Sequence, residues 1–238
     1  MPLCMANGRP LYFAHVPKTG GSSVEDYLIR RFGPMSLRTD LRQPRQRQPG
    51  VIQSLSHLAA SDLPGLLPAD TISFAVVRDP VARIKSEYRF QSNRSRTSRL
   101  HVSTWLRSML AATRRDPRIY ENHLRPQVDM VPEGAAVFRL EDGFEAMTRW
   151  LDEVTGTTAP ELTVGHFLKR KSRPIPLSRQ DLDLIARFYA ADYDRFGYPP
   201  PDTADLPSDP RASLRDLAAG PLARMIVARH HRRWMWDS

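Results

Sequence analysis

The stretch Ile72-Ser73-Phe74-Ala75-Val76-Val77-Arg78-Asp79-Pro80 decides the fold. Its first six residues are apolar apart from Ser73, and three of them are β-branched. A short apolar run without alternation reads as a strand buried on both faces, as at the centre of a parallel sheet. The run ends at Arg78. Asp79 is a good N-cap and Pro80 suits the first helical position, which predicts a helix to about Gln91. A strand that feeds directly into a helix is half of a βαβ unit.

The same pattern recurs on either side. Residues 11–16 (LYFAHV) read as a short buried strand that enters Pro17-Lys18-Thr19-Gly20-Gly21-Ser22-Ser23. A helix with Val24, Tyr27, Leu28 and Phe32 on its apolar face follows. Residues 135–140 (AAVFRL) predict a third strand, and residues 143–154 an amphipathic helix carrying Phe144, Met147, Trp150 and Leu151. Further helices are expected over residues 103–113, briefly after Asn122, and from Ser178 to just before Phe196. A short one is expected near His57, and a last one spans about residues 212–233. Residues 34–50 and 92–99 lack periodicity and read as exposed basic loops. Alternating strands and helices predict an α/β fold with a parallel sheet. Two of the three strands end in turns that open helices, where open α/β sheets bind ligands.

Composition narrows the class. Of the 238 residues, 41% are hydrophobic and 26% charged, an ordinary globular balance. No apolar run approaches the roughly 20 residues of a membrane span, and the first residues lack a signal-peptide core. The single cysteine, Cys4, excludes an intramolecular disulfide and a thiolate metal cluster, so a cytoplasmic location is expected. Net charge is +9 and uneven: residues 1–120 hold 19 basic and 8 acidic side chains, residues 121–238 hold 16 and 18. A basic half suggests an anionic partner. A nucleic-acid-binding protein is one reading of that charge, but no nucleic-acid module or stacking platform is recognisable.

The turn after the first expected strand is a phosphate-binding candidate. The N–H groups of a first helical turn and the helix dipole favour an anion. Gly20 and Gly21 allow close approach, Thr19, Ser22 and Ser23 add hydroxyls, and Lys18 adds a cation. The ATP-type order G-x-x-x-x-G-K-[ST] is absent, because the lysine here precedes the glycines. That counts against the alternative of a nucleotide-dependent phosphotransferase of related fold.

His15 through Ser23 (HVPKTGGSS) resembles the 5′-phosphosulfate loop of carbohydrate sulfotransferases, whose donor is 3′-phosphoadenosine 5′-phosphosulfate (PAPS). Arg78 through Tyr88 (RDPVARIKSEY) is similar to that family's 3′-phosphate site. The 122–127 segment (NHLRPQ) resembles the H-x-x-P-Q stretch of the Golgi heparan- and chondroitin-type enzymes. Residues 192–198 (DYDRFGY) resemble the family's terminal motif. The likeness covers about residues 9–198; Ser22-Ser23 stands where Thr-Ser is commoner, and nothing after residue 199 matches.

The resemblance implies a P-loop-like three-layer fold, with a central parallel β-sheet flanked by helices. It implies a sulfotransferase domain over 1–198 and a linker with a helical extension over 199–238. It further implies a bacterial enzyme that moves a sulfuryl group from PAPS to a carbohydrate or glycolipid hydroxyl without a metal, leaving 3′,5′-ADP (PAP). Donor-binding residues would be Lys18, Thr19, Gly20, Gly21, Ser22, Ser23, Arg78 and Ser86, with Lys171 and Ser172 from a late basic loop. Arg83 is expected to turn away into a structural role. An alcohol acceptor needs a general base, and histidine suits neutral pH. His57, 21 residues before Arg78, is expected in that role, with Lys18 assisting catalysis. His123 and Gln127 are weaker candidates for contact with substrate, and His15 is expected to be a structural hydrogen-bonder. The last helix, apolar and basic, is expected to pack on its own domain, with peripheral membrane contact as the alternative.

Overall fold

The computed structural model describes residues 2–36, 57–92, 100–165 and 174–236, with side chains up to residue 229. Residues 37–50 and 93–99 of the two expected basic loops, with Lys171 and Ser172, lie outside the described residues. Among the described residues, no helix is long and apolar enough to cross a membrane. The chain forms two compact units, each assembled from two separate stretches: residues 1–78 with 127–171, and residues 79–126 with 172–238.

The first unit holds a four-stranded sheet in the order β1 (Leu3–Ala6), β2 (Arg9–Ala14), β3 (Ile72–Val77), β4 (Ala136–Arg139). β2, β3 and β4 are parallel, with Phe13 opposite Phe74 and Ala75 opposite Val137. β1 pairs antiparallel with β2 through a tight hairpin. Asn7 and Gly8 both have positive φ, 48° and 77°. That is the pattern of the Asn-Gly turn matched to strand twist. The α/β reading thus holds, with a sheet that is mostly parallel and carries one antiparallel edge strand.

Helices α1 (Gly21–Phe32) and α4 (Glu145–Thr155) supply Val24, Tyr27, Leu28, Met147 and Leu151 to one core with Leu11, Phe13, Phe74 and Val76. These strand residues alternate, so they line one face of the sheet. Tyr12, Ala75 and Val77, which point the other way, are equally buried. The central strands are therefore covered on both faces, as their unbroken apolar runs require. The glycines after α1 and α4, Gly33 and Gly156, have positive φ and close those helices.

The second unit is helical: α2 (Pro80–Ser92), α3 (Val102–Arg115), α5 (Arg179–Phe188), α6 (Ala190–Phe196) and α7 (Ala212–Trp236). Asp79 caps α2, its Oδ1 accepting from the Ala82 N–H at 2.7 Å. Ser178 caps α5 in a capping box with Asp181. α7 packs along α3 through Ala219, Ala223 and Ile226, and leaves Leu214, Leu217 and Met225 exposed on its outer side.

Two expectations need correction. The helix expected after Asn122 is reduced to a single 3₁₀ turn, Gln127–Asp129; the left-handed backbone of Tyr120, Glu121 and Asn122 keeps the chain before it in turns. The single helix expected from Ser178 breaks into α5 and α6 at Tyr189, whose hydroxyl is drawn to the Leu124 carbonyl at 2.7 Å.

Candidate active site

The phosphate-loop candidate sits where β2 hands over to α1. Lys18 (φ 69°) and Gly20 (φ 86°) both adopt left-handed backbone, which turns the chain sharply into the helix. A Cβ on Gly20 would lie 3.0 Å from Leu140 Cδ1 and 3.3 Å from a Phe144 ring carbon, so the turn is seated on the core. The Thr19 hydroxyl donates to the Val16 carbonyl at 2.8 Å. Its side chain thus closes the loop on itself. Ser22 is exposed and Ser23 buried. The start of α1 has no side-chain cap, and the Ser23 and Val24 N–H groups donate to the Gly20 carbonyl at 2.9 and 3.3 Å. The N–H groups at the very start of a helix are the ones suited to an anion.

Arg78 emerges from the end of β3, in the same unit. Its guanidinium donates to the Lys18 carbonyl at 3.3 Å and lies 4.0 Å from Glu141. Residues 60 apart in sequence thus bring a lysine and an arginine to one place. Parallel strand pairing is the cause: β2 and β3 end side by side, so the loops that follow them are neighbours.

Gln127 supports this arrangement. It is fully buried. Its Oε1 accepts from the Arg78 N–H at 3.0 Å, and its Nε2 donates to the Arg78 carbonyl at 2.8 Å. One amide therefore serves both main-chain groups of Arg78 and holds the residue beyond the reach of the sheet ladder. Gln127→Leu is expected to destabilise the fold by about 1–3 kcal/mol for each main-chain group left unsatisfied. Urea denaturation of both proteins measures it, and an unchanged midpoint would show that the clamp is replaceable.

His57 lies in the first unit too. It is followed by buried Leu58 and Ala59 and a 3₁₀ turn, Ala60–Asp62, rather than a full helix. Its ring meets His15 edge to face at a centroid distance of 4.8 Å, so it is anchored beside the start of α1. His15 forms a bond of 2.6 Å from Nδ1 to Glu25 Oε1. Glu25 is a site-adjacent residue that the sequence reading did not single out. The available signal was an acidic residue on the apolar stripe of α1, beside Val24 and one turn before Leu28.

In the second unit, Ser86 is half-buried on α2. Arg83 is buried, donates to the His123 carbonyl at 2.9 Å and stacks over the Tyr189 ring, a structural position. His123 bonds through Nδ1 to Glu87 at 2.9 Å, and Glu87 accepts from Gln91 at 2.8 Å. Gln91 in turn accepts from the Trp105 indole at 3.1 Å. His123 thus belongs to a buried polar network that ties its segment to α2 and α3.

The site contains a helix start without a side-chain cap, an arginine bonded to the Lys18 main chain, and a histidine whose ring meets His15. Such a set of donors fits a ligand with more than one anionic group. Compared with known families, residues 2–199 match the model described as "Sulfotransferase family". No curated protein and no solved structure gives a significant match. The match spans both strand-to-helix junctions and most of the chain, and so this chain belongs to the sulfotransferase family, whose members transfer a sulfuryl group to an acceptor.

Proposed function

We propose that the protein transfers the sulfuryl group of PAPS to a hydroxyl of a carbohydrate or glycoconjugate, releasing 3′,5′-ADP. The observation that carries this reading is the bond from Arg78 to the Lys18 carbonyl. It brings together a loop suited to a 5′-phosphosulfate and an arginine suited to a second phosphate on the same nucleotide. The resemblance assigns Ser86 to that second phosphate as well.

PAPS supplies an activated sulfuryl group on a stable leaving group. The S–O bond to the 5′-phosphate breaks, and a new S–O bond forms to the acceptor oxygen. His57 takes the acceptor's proton in the proposed step, which makes that oxygen a better nucleophile. Lys18 and the first N–H groups of α1 oppose the negative charge that grows on the leaving oxygen. Arg78 holds a phosphate that is unchanged by the reaction, so its contribution is to binding.

The test is a thermal-shift comparison of 3′,5′-ADP with 5′-ADP. At about 100 times its dissociation constant a ligand adds roughly 2.7 kcal/mol of stability, or about 5–10 °C in a domain of this size. The 3′-phosphate is expected to give the larger shift, and Arg78→Ala to abolish the difference. Equal shifts for the two nucleotides in the wild type would sink the donor assignment. Release of 3′,5′-ADP from PAPS against a panel of glycans then identifies the acceptor.

A further inference from the structure

Glu25 poses a problem that the reaction above does not use. It lies one turn into α1, four residues after Gly21, and is only 6% exposed. A buried carboxylate is costly unless it is partnered. Here it also lies behind the very helix start that must attract an anion. His15 is one partner, and its position follows from strand alternation. Leu11 and Phe13 point to α1, so His15, the next odd residue, points there as well. Its ring stacks on Phe13 at 5.5 Å and presents Nδ1 to Glu25.

The other side of the ring is equally committed. A Cβ on Gly21 would lie 2.0 Å from His15 Nε2, so Nε2 rests directly against the first residue of α1. Both ring nitrogens are thus turned toward α1. The same ring meets His57 at 4.8 Å. One imidazole, held by one carboxylate, therefore touches both the turn that would grip the donor and the histidine that would activate the acceptor.

We propose that Glu25 and His15 are positioning residues for sulfuryl transfer, with Glu25 locking the His15 ring as a spacer between the Gly20–Gly21 turn and His57. This rests on the sulfotransfer reading above. Donor and base must be held at a set separation for in-line attack, and a misplacement of about 1 Å costs on the order of 100-fold in rate. A spacer keyed to both parts supplies that separation. The buried charge then has a purpose: a neutral glutamine keeps an oxygen for Nδ1–H, whereas leucine releases the ring.

The experiment compares Glu25→Leu, Glu25→Gln and His15→Asn with wild type. It measures kcat and KM for PAPS, affinity for 3′,5′-ADP, and the ¹⁵N-imidazole spectrum of His57. Glu25→Leu and His15→Asn are expected to lose about 10- to 100-fold in kcat, with 3′,5′-ADP affinity kept and the His57 signals displaced. Glu25→Gln is expected to restore most of the rate. Unchanged kcat per folded molecule, or a lower kcat with His57 signals unmoved, would overturn the proposal. Should Glu25→Leu not fold, His15→Asn and Glu25→Gln decide by the same criteria. If the wild type releases no 3′,5′-ADP from PAPS, the sulfotransfer reading has failed. The His57 spectra then still decide whether Glu25 and His15 position that ring.

Discussion

His57→Ala is expected to lose transfer by roughly 100-fold or more, the usual scale for a general base, while retaining its fold and its affinity for 3′,5′-ADP. The retained affinity follows from the proposed donor site, in which Arg78 is held by the Gln127 amide and the turn at Gly20 by the Leu140 and Phe144 side chains, none of them dependent on His57. Only a neutral imidazole accepts a proton, so the wild-type rate falls toward acid pH. The variant's residual rate should lack that limb. His123→Ala gives the contrast. Its loss leaves buried Glu87 without one of its partners, so it should lower thermal stability and leave turnover per folded molecule close to wild type. Stopped assays of 3′,5′-ADP release on both variants decide the matter. A fully active His57→Ala, or an inactive His123→Ala with binding intact, would reverse the two roles.

The second large effect is on stability. Asp181 is fully buried and combines several tasks in the helical unit. It completes the cap of α5 and accepts from the Ser178 N–H at 3.0 Å. It also accepts from the Ser103 hydroxyl at 2.7 Å and pairs with the guanidinium of Arg107 on α3. Burial pushes its carboxyl upward, but hydrogen bonds from Ser103, Ser178 and Arg107, with the Arg107 charge, outweigh it and hold the carboxyl below its ordinary range. Asp181→Asn leaves Arg107 buried with Asp216 as its one charged partner among the described residues. The expected cost is about 3 kcal/mol, the low end for breaking a buried pair. A group whose folded pKa is depressed contributes above its unfolded value, near 3.9 for aspartate. The gap between wild type and variant should therefore be complete above about pH 4 and close as the pH falls further. Denaturation midpoints measured from pH 3 to pH 7 test this. A gap that persists unchanged into acid would mean that cap geometry, rather than charge, carries the effect.

Much of the framework was legible because it is local. The unbroken run Ile72–Val77, the Asp79-Pro80 helix start and the Ser178 cap are each written within a few neighbouring residues, and each forms where expected. The Asn7-Gly8 hairpin was equally legible as a turn dipeptide. The strands around it carry a weak pattern, because Leu3–Ala6 has only four residues and Pro10 lies inside the strand that follows. The loop Lys18–Ser23 and Arg78 were likewise recognisable one by one.

Their assembly was not legible. Arg78 reaches Lys18 across 60 residues, and Gln127 clamps Arg78 across 49. No periodicity or turn chemistry spans such distances; these meetings follow from which strand lies beside which. The clearest case is the shortest. Glu25 and His15 are only ten residues apart, yet neither pattern alone joins them. Strand alternation turns His15 toward α1, and helical periodicity turns Glu25 toward the sheet. Sequence determined each side chain's direction by itself, and tertiary packing of α1 on β2 decided that the two directions meet, because only a buried partner makes a buried carboxylate tolerable.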